Sequence, residues 1–442
     1  MADVHAKLCS PSGADGWFAC SGRVVMEAGF PNEGNEHSDN GTARHLVCSH
    51  ALKTGQDATE YVGRVVAFWR APSGATGESF IDEIEGDLQV VKTIPYDADW
   101  VEEDQDYIAM INTLAEGGEL FVERVVNFEA FTEVKGDSFG TADAIIIKPL
   151  PDGTHELIVA DRKTGYHEVP VEHNKQLQLY ALGAYDEYRL VYDISRVRLI
   201  IHQRGAREWD CSIEDLLAFA QEARSRAVSV VNAVSMHGQV DQAEWERTFL
   251  NQKPTEDACR YCKAMATCPS MQRAVQTLVS ADFDEVAAGE AEMDWMPKPD
   301  HELAVLMAGV GLVEDWCKAV RAEVERRLLA GTDVPGYKLV LGKAGARAWK
   351  DADAAEAALK TFRLKVEEMY DLKVISPTSA EKLAKAKTLG PRQWTKLQPL
   401  IGRSDPKPSV APVTDKRDVW VPPKVADDFQ EVQAEPAGAD LA

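Results

Sequence analysis

The stretch GTADAIIIKPLPDGTHELIVADRKTG, residues 140–165, contains two apolar runs separated by a polar segment. Both runs are rich in β-branched and aliphatic residues, which favour strands. The Pro-Asp-Gly segment at 151–153 has the residue types of a tight turn. The stretch therefore predicts a β-hairpin centred near Asp152.

Two aspartates and a lysine lie at the open end of this predicted hairpin. Asp143 and Asp161 are each nine residues from Asp152, so they are expected to face each other. Directly opposed residues have Cβ atoms about 4.5 to 5.5 Å apart, close enough for two carboxylates to share a divalent cation. Side chains alternate along a strand, so Lys163 should share the face of Asp161, while Arg162 points away. A lysine beside a metal and a phosphate can orient water and stabilise the transition state; an ordinary salt bridge is the alternative interpretation.

Two further segments could contribute to the same site. Gln176 and Tyr180 are four residues apart on a helix predicted for 172–185, so they share one helix face. His45 follows a Gly-Thr step at 41–42 that is predicted to open another helix, and it is a candidate ligand for the same metal.

The surrounding pattern predicts a mixed α/β core. Apolar runs at 120–128, 141–147, 157–160 and 197–202 are typical of strands, and the helix before the last of them implies one crossover connection. The apolar pattern ending at Phe68 and Trp69 is interpreted as a helix.

Other segments have distinct compositions. Residues 78–106 contain eleven Asp or Glu and one Lys, which predicts a solvated insertion or loop. Helices are predicted for 213–249, 303–329 and 376–400, and a short hairpin for 336–349. The segment 404–442, with six prolines, is predicted to be mostly disordered.

The ordered motifs resemble those of the PD-(D/E)XK nucleases, specifically the RecB-like branch, over about residues 20–268. The matching positions are His45, Glu123, Asp143, Asp161 to Gly165, and Gln176 to Tyr180. The resemblance implies a restriction-endonuclease-like mixed sheet flanked by helices. It also implies that His45, Asp143 and Asp161 hold Mg²⁺ or Mn²⁺, that Lys163 is the catalytic lysine, and that Gln176 and Tyr180 position DNA or this lysine. Glu123 is a further candidate, with pairing to Arg124 or solvent as the alternative.

Three of the eight cysteines lie within ten positions: Cys259, Cys262 and Cys268. They supply three soft ligands, one fewer than a closed tetrahedral site requires, and their spacing alone does not distinguish zinc from an iron-sulfur cluster. Three of the other cysteines are interpreted as small buried hydrophobic residues: Cys48, Cys211 and Cys317.

The resemblance favours the iron-sulfur alternative. A subset of RecB-like nucleases, including AddB-type and CRISPR-associated exonucleases, has one cysteine before the nuclease core and three after it, and these bind a 4Fe-4S cluster. Cys20 is the expected distant ligand, with Cys9 as its rival. This arrangement implies a nuclease domain at 1–275, a mainly helical basic extension at 276–403 and a disordered tail at 404–442.

Charge limits how the chain could contact DNA. The 48 Lys and Arg against 72 Asp and Glu leave a net charge of -24, so nucleic-acid contact must be local. Residues 338–403 have fourteen Lys or Arg against seven Asp or Glu, together with Trp349 and Trp394. This region is a candidate DNA-binding segment, and a solvated basic face with buried tryptophans is the alternative.

The expected function is that of a metal-dependent deoxyribonuclease, with an exonuclease as the expected form. The chain also resembles uncharacterised RecB-like proteins that bacteriophages encode beside replication genes, which implies a role in phage DNA replication, recombination or end processing. With no apolar segment of membrane-spanning length and no signal core in residues 1–12, a soluble protein of the host cytoplasm is expected. No P-loop motif is present in the sequence, so unwinding would need a helicase partner; a polymerase or single-strand-binding protein is another expected partner. The alternatives are a non-catalytic DNA-end or replisome-binding module and a zinc-stapled structural protein.

Overall fold

The computed structural model describes residues 6–30, 36–280, 300–339, 359–360 and 376–401. Contacts between residues divide the chain into two compact units, Met1–Val340 and Leu341–Ala442. The first unit contains both sheets and every site residue predicted above. Most of the predicted hairpin at 336–349, Trp349 and the predicted tail at 404–442 lie outside the described residues, and the domain boundary at 275 stays a prediction.

The described helices vary from one turn to eight turns in length. They are α1 (Ala14–Ala19), α2 (Arg23–Glu27), α3 (Glu36–Thr54), α4 (Val101–Ala115), α5 (Glu129–Thr132), α6 (Lys175–Tyr188), α7 (Ile213–Met236), α8 (Gln242–Phe249), α9 (Glu256–Cys259), α10 (Pro269–Ser280), α11 (Asp300–Leu329), α12 (Pro377–Lys385) and α13 (Pro391–Leu397).

The strands of the described residues form two sheets. They are β1 (Val65–Arg70), β2 (Thr76–Phe80), β3 (Gln89–Pro95), β4 (Glu119–Asn127), β5 (Phe139–Pro149), β6 (His155–Arg162), β7 (Ile194–His202) and β8 (Ala206–Cys211). The smaller sheet is antiparallel, with the order β2-β1-β3. The larger has the order β4-β5-β6-β7-β8, and its β6–β7 pair is parallel.

The larger sheet confirms the predicted mixed α/β core with one crossover. Helix α6 makes that crossover, because a parallel pair cannot be joined by a tight turn. The side chain of Asn174 caps α6 by accepting a hydrogen bond from the backbone N–H of Leu177 at 3.0 Å. Edge strand β8 was not predicted, because its sequence alternates exposed and half-buried residues without an apolar run.

Alternate residues of β5 and β6 are buried on opposite faces of the larger sheet. Ile145 and Val159 pack in the core cluster that includes residues of α6 and α7. Ile146 and Ile158 pack in a second cluster with residues of α3, α4 and the smaller sheet. Strands buried on both faces have nearly continuous apolar sequences, which is why this hairpin was recognisable.

Two predictions of element type were wrong. Phe68 and Trp69 lie in β1 rather than in a helix, because the β-branched start of this segment pairs with both β2 and β3. The acidic segment 78–106 is not a loop, since it includes strand residues, all of β3 and the start of α4. The acidic first turn of α4 suits the positive end of the helix dipole.

Two predicted single helices are each divided into two. The segment 213–249 forms α7 and α8, because the chain turns through Gly238 at φ +74° and Asp241 caps the second helix. The segment 376–400 forms α12 and α13, since Lys387 has φ +61° and Pro391 starts a new helix. Helix α11 confirms the helix predicted for 303–329, and its Leu312 packs against Met271.

Candidate functional site

The hairpin register places the two predicted aspartates at the same level. The pairs run from Ala144 opposite Ala160 to Pro149 opposite His155, so the turn is centred on Asp152, as predicted. One further step in this register puts Asp143 opposite Asp161. The backbone N–H of Arg162 donates a hydrogen bond of 2.7 Å to Oδ2 of Asp143. The local sequence therefore brings both carboxylates to the open end of the hairpin.

Lys163 is held between Asp161 and helix α6. Its Nζ lies 2.8 Å from Oδ2 of Asp161 and donates a 2.9 Å hydrogen bond to Oε1 of Gln176. The amide nitrogen of Gln176 donates to Oδ1 of Asp161 at 3.1 Å and to the hydroxyl of Tyr180 at 3.2 Å. Gln176 thus fixes the lysine relative to the aspartate, which confirms that Lys163 and Asp161 share a face.

Two glycines allow the neighbouring elements to approach this site. A Cβ atom on Gly140 would lie 3.1 Å from Cε1 of Tyr180, and one on Gly41 would lie 3.0 Å from Oγ1 of Thr164. Both distances are tighter than ordinary van der Waals contact. Gly41 lies within α3, which begins five residues earlier than the predicted helix start.

His45 and Glu123 lie in the same site as the two aspartates. Nδ1 of His45 lies 3.3 Å from Oδ2 of Asp143. Glu123 lies between Val122 and Arg124, which pair with Ala144 and Ala142, so it is level with Asp143. Both residues line a small cavity with His45. The alternative pairing of Glu123 with Arg124 is not observed, because Arg124 forms an ion pair with Glu187 on α6.

Glu123 also has an unusual backbone. Its φ is +53°, in the left-handed region, although it lies within strand β4. A non-glycine residue in this region costs about 1–3 kcal/mol and persists only where its surroundings hold it there. Such strain is concentrated at functional sites, so the geometry of Glu123 favours a role in this site.

The site contains more carboxylates than cationic groups to balance them. Burial raises the pKa of Glu123 to about 7, with repulsion from Asp143 adding to the effect. Burial likewise raises the pKa of Asp161, although Lys163 opposes this change. Burial alone would lower the pKa of His45, but the Asp143 carboxylate outweighs it and raises that pKa to about 9. A cation would relieve the repulsion among the three carboxylates.

A buried ionic network behind the site was not recognised in the sequence. Asp104 on α4, fully buried, accepts hydrogen bonds from Nη2 of Arg44 and Nη2 of Arg162, each at 2.7 Å, and from the Tyr96 hydroxyl at 2.8 Å. Arg44 precedes His45, and Arg162 lies between Asp161 and Lys163. The network therefore ties the helix of His45 to the strand of Asp161.

The sequence contained only part of the signal for this network. Alternation along β6 already placed Arg162 on the face away from Lys163, and a sheet covered on both faces would bury it there. A buried guanidinium requires an acidic partner, and the acidic segment 78–106 was one possible source of it. Because that segment was interpreted as solvated, Asp104 was not recognised as the partner of Arg162.

Tyr107 is another residue that the sequence did not reveal. Its hydroxyl is buried, has no hydrogen-bond partner within the described ranges, and lines the cavity with His45, Glu123 and Asp143. Burial raises the pKa of this phenol well above its usual value, and the nearby carboxylates add to the shift. Tyr107 therefore remains a hydrogen-bond donor beside the carboxylates.

The structure brings Cys20 to the C-terminal cysteine loop. Cys20 and Cys268 both pack against the cluster of Trp245 and Phe249, while Cys259 and Cys268 pack beside Met265. The backbone N–H of Asn251 donates to Sγ of Cys20 at 3.4 Å.

Hydrogen bonds join the chain near Cys20 to the segments near the other three cysteines. The N–H of Gly22 donates to the carbonyl of Phe249 at 2.9 Å, and Nη2 of Arg23 donates to the carbonyl of Tyr261 at 2.6 Å. The N–H of Lys263 donates to Oε1 of Glu27 at 2.9 Å. The two ends of the folded domain therefore meet at the cysteines.

The other cysteines lie elsewhere. Cys9 is fully buried in the main core, where burial raises its thiol pKa to about 12 and Asp137 adds to the shift. Its position does not support the rival assignment. Cys48 and Cys211 are buried, as predicted, whereas Cys317 on α11 is only half-buried.

The donor groups suit the metals that the resemblance implies. Carboxylate oxygens with an imidazole suit Mg²⁺ or Mn²⁺, and four thiols suit an iron-sulfur cluster or zinc. Across the ranges that the structure describes, no group of three or more His, Cys, Asp or Glu side chains is placed so that it could hold a metal ion. The structure therefore shows donor groups near one another but no finished coordination shell.

No helix among the described residues has both the length and the apolar character needed to cross a membrane.

One known family matches nearly the whole chain. The family described as "Protein of unknown function (DUF2800)" matches residues 5–418, a range that includes the hairpin, the carboxylates and all four grouped cysteines. The chain therefore belongs to the DUF2800 family.

Proposed function

We propose that this protein is a metal-dependent deoxyribonuclease of the RecB-like branch of the PD-(D/E)XK nucleases. The observation that carries the proposal is the hydrogen-bonded set of Lys163, Asp161 and Gln176 beside Asp143 and His45. A simple strand-end salt bridge does not account for three carboxylates held together in a partly buried site. A role in phage DNA replication, recombination or end processing within the host cytoplasm is part of the same proposal.

The residues of the site have separable tasks. His45, Asp143 and Asp161 would hold Mg²⁺ or Mn²⁺, with Glu123 as a further ligand, and the ion would supply Lewis acidity toward the phosphate. Lys163 remains protonated, because the attraction of Asp161 outweighs burial and raises its pKa. Its ammonium group can hold the attacking water and stabilise negative charge on the phosphate. Gln176 keeps this ammonium aimed at the site.

The decisive experiment is digestion of end-labelled linear and circular DNA with Mg²⁺, Mn²⁺ or EDTA. Metal-dependent loss of linear DNA alone would support an exonuclease, and cutting of circular DNA would support an endonuclease. DNA binding without cleavage under all metal conditions would contradict the proposal and favour the non-catalytic DNA-end module.

We further propose that Cys20, Cys259, Cys262 and Cys268 bind a 4Fe-4S cluster that joins the two ends of the domain. The hydrogen bonds between the segments near these cysteines support this assignment. Without a metal, burial raises the pKa of Cys262 to about 12, and Glu27 adds to the effect. Metal binding must therefore displace thiol protons.

Replacing Cys262 with serine is expected to remove most of the iron and to lower the melting temperature. Anaerobically purified wild-type protein should contain about four iron atoms per chain. Iron analysis, visible absorbance and thermal unfolding would measure these effects, and Cys317→Ser is the matched control. Full iron content and unchanged melting in Cys262→Ser would contradict the cluster assignment, while a colourless wild-type protein loaded with zinc would support the rival metal.

The basic region at 338–403 is proposed to bring DNA to the acidic first unit. A chain ending near Val334 should keep its metal content but bind DNA more weakly at moderate salt. Its affinity should also fall less steeply with salt, because fewer phosphate contacts release counterions. Anisotropy titrations of labelled DNA at several salt concentrations would measure both effects. Equal affinity and equal salt dependence for the two chains would instead indicate a protein-partner role for this region.

A further inference from the structure

The loop that follows Lys163 carries an exposed tyrosine. Tyr166 is 83% exposed, although it lies only three residues after the proposed catalytic lysine. Three residues span at most about 11 Å, so the backbone of Tyr166 lies within that distance of Lys163. A single exposed aromatic residue is ordinary on a protein surface, so its surroundings decide whether it has a role.

Side chains from the β7–β8 turn hold this loop in place. Gln203, which is 5% exposed, donates from Nε2 to the carbonyls of Gly165 at 2.5 Å and His167 at 2.8 Å. Its Oε1 accepts a 3.0 Å hydrogen bond from the N–H of Val169. The exposed ring of Tyr166 therefore projects from an anchored backbone.

Arg204 places a positive charge beside the same ring. Its Nη2 donates to the carbonyl of Tyr166 at 2.9 Å, and its guanidinium carbon lies 5.4 Å from the ring centroid. Arg204 has φ +55°, a backbone conformation that persists only where the surrounding contacts hold it. A neighbouring arginine side chain and aromatic ring form the combination that stacks on nucleobases and attracts phosphate.

The surroundings of Tyr166 also include α3, the helix that carries His45. The His37 ring, on the first turn of α3, meets the Tyr166 ring edge-on, with centroids 6.5 Å apart and an interplanar angle of 89°. Gly41, on the next turn, lies so close to the loop that an added Cβ atom would be 3.0 Å from Oγ1 of Thr164. The loop and α3 are thus packed together beside the carboxylates, which places the exposed ring at the edge of the proposed active site.

We propose that Tyr166 and Arg204 form a stacking platform for an unpaired nucleobase of the DNA strand whose phosphate lies at Lys163. The inference rests on the proposed nuclease function and adds a substrate class: single-stranded DNA or a frayed end. Base-paired DNA fits the platform less well, because its bases are already stacked on one another. The anchored loop lowers the entropy cost of binding, since the ring needs little reordering.

The test compares Tyr166→Ala with Tyr166→Phe. Leu190→Ala is the control, because Leu190 is 89% exposed in the α6–β7 connection, at the opposite end of β7 from the site. Cleavage of single-stranded oligonucleotides and of blunt duplexes would be measured with Mn²⁺. Tyr166→Ala should raise KM for single strands about 5-fold or more, with kcat nearly unchanged. Tyr166→Phe should retain wild-type KM, since stacking needs the ring and not the hydroxyl.

Equal KM for Tyr166→Ala and wild type on single strands would overturn the platform, as would an equal loss on blunt duplexes. If wild-type protein cleaves no DNA, the nuclease proposal fails, but anisotropy of a labelled single-stranded oligonucleotide still tests the platform. A loss of affinity of about 5-fold or more in Tyr166→Ala, with wild-type affinity in Tyr166→Phe, would then support the platform. Unchanged affinity in Tyr166→Ala would refute it.

Discussion

Lys163→Ala protein is expected to cleave DNA at least about 100-fold more slowly than wild type, because a preorganised charge at the reacting phosphate is lost. Asp161→Asn should cause a similar loss by removing one oxygen ligand while keeping the shape of the side chain. Gel or fluorescence assays of linear DNA with Mn²⁺ would measure both rates.

Stability measurements would separate a chemical role from a structural one. Asp161→Asn removes one of three neighbouring carboxylates, so reduced repulsion should compensate for the weaker contact with Lys163. We expect it to unfold at nearly the wild-type temperature. Lys318→Ala is the matched control for the lysine variant, since Lys318 forms an exposed ion pair with Asp315 on α11. If purified Lys163→Ala or Asp161→Asn protein, free of contaminating nuclease, cleaved DNA at the wild-type rate, the assigned site would be wrong.

Asp104→Ala is expected to lower the free energy of unfolding by about 3–5 kcal/mol, because two buried guanidiniums are then left with a single, half-buried carboxylate. These groups are Arg44 and Arg162, whose side chains are 8% and 0% exposed, and the remaining carboxylate is that of Glu103. Urea unfolding followed by circular dichroism would measure the change.

Asp82→Ala provides a direct comparison. Asp82 also pairs with an arginine, Arg64, but its side chain is 64% exposed. Solvent screens an exposed pair so strongly that it contributes little, so this variant should be nearly as stable as wild type. Similar unfolding free energies for Asp104→Ala and Asp82→Ala would refute the structural importance of the buried network.

Much of the site could be predicted because its geometry is local. The turn at Asp152 sets the hairpin register, and the register alone brings Asp143 level with Asp161. Strand alternation separates Lys163 from Arg162, and helical spacing aligns Gln176 with Tyr180. Each of these relations depends on a regular backbone repeat that can be recognised within a short stretch of sequence.

Contacts between distant segments could not be recognised in this way. The two arginines of the buried network are 60 and 58 residues from Asp104 along the chain, and no sequence period connects such positions. The same limit applies to β1, where the apolar run ending at Trp69 suited a helix until the strands on both sides were known. Glu123 could not be assigned, because its left-handed backbone is imposed by tertiary packing.

The sequence by itself determined the hairpin, the crossover helix and the placement of Asp143, Asp161, Lys163, Gln176 and Tyr180, because strand and helix periods decide which neighbouring side chains share a face. Only the tertiary structure decided that Cys20 rather than Cys9 lies with the C-terminal cysteines, and that Asp104 joins the helix of His45 to the strand of Asp161. Those contacts arise when separate elements pack together. Packing depends on the shapes and charges of whole surfaces, which a single stretch of sequence does not contain.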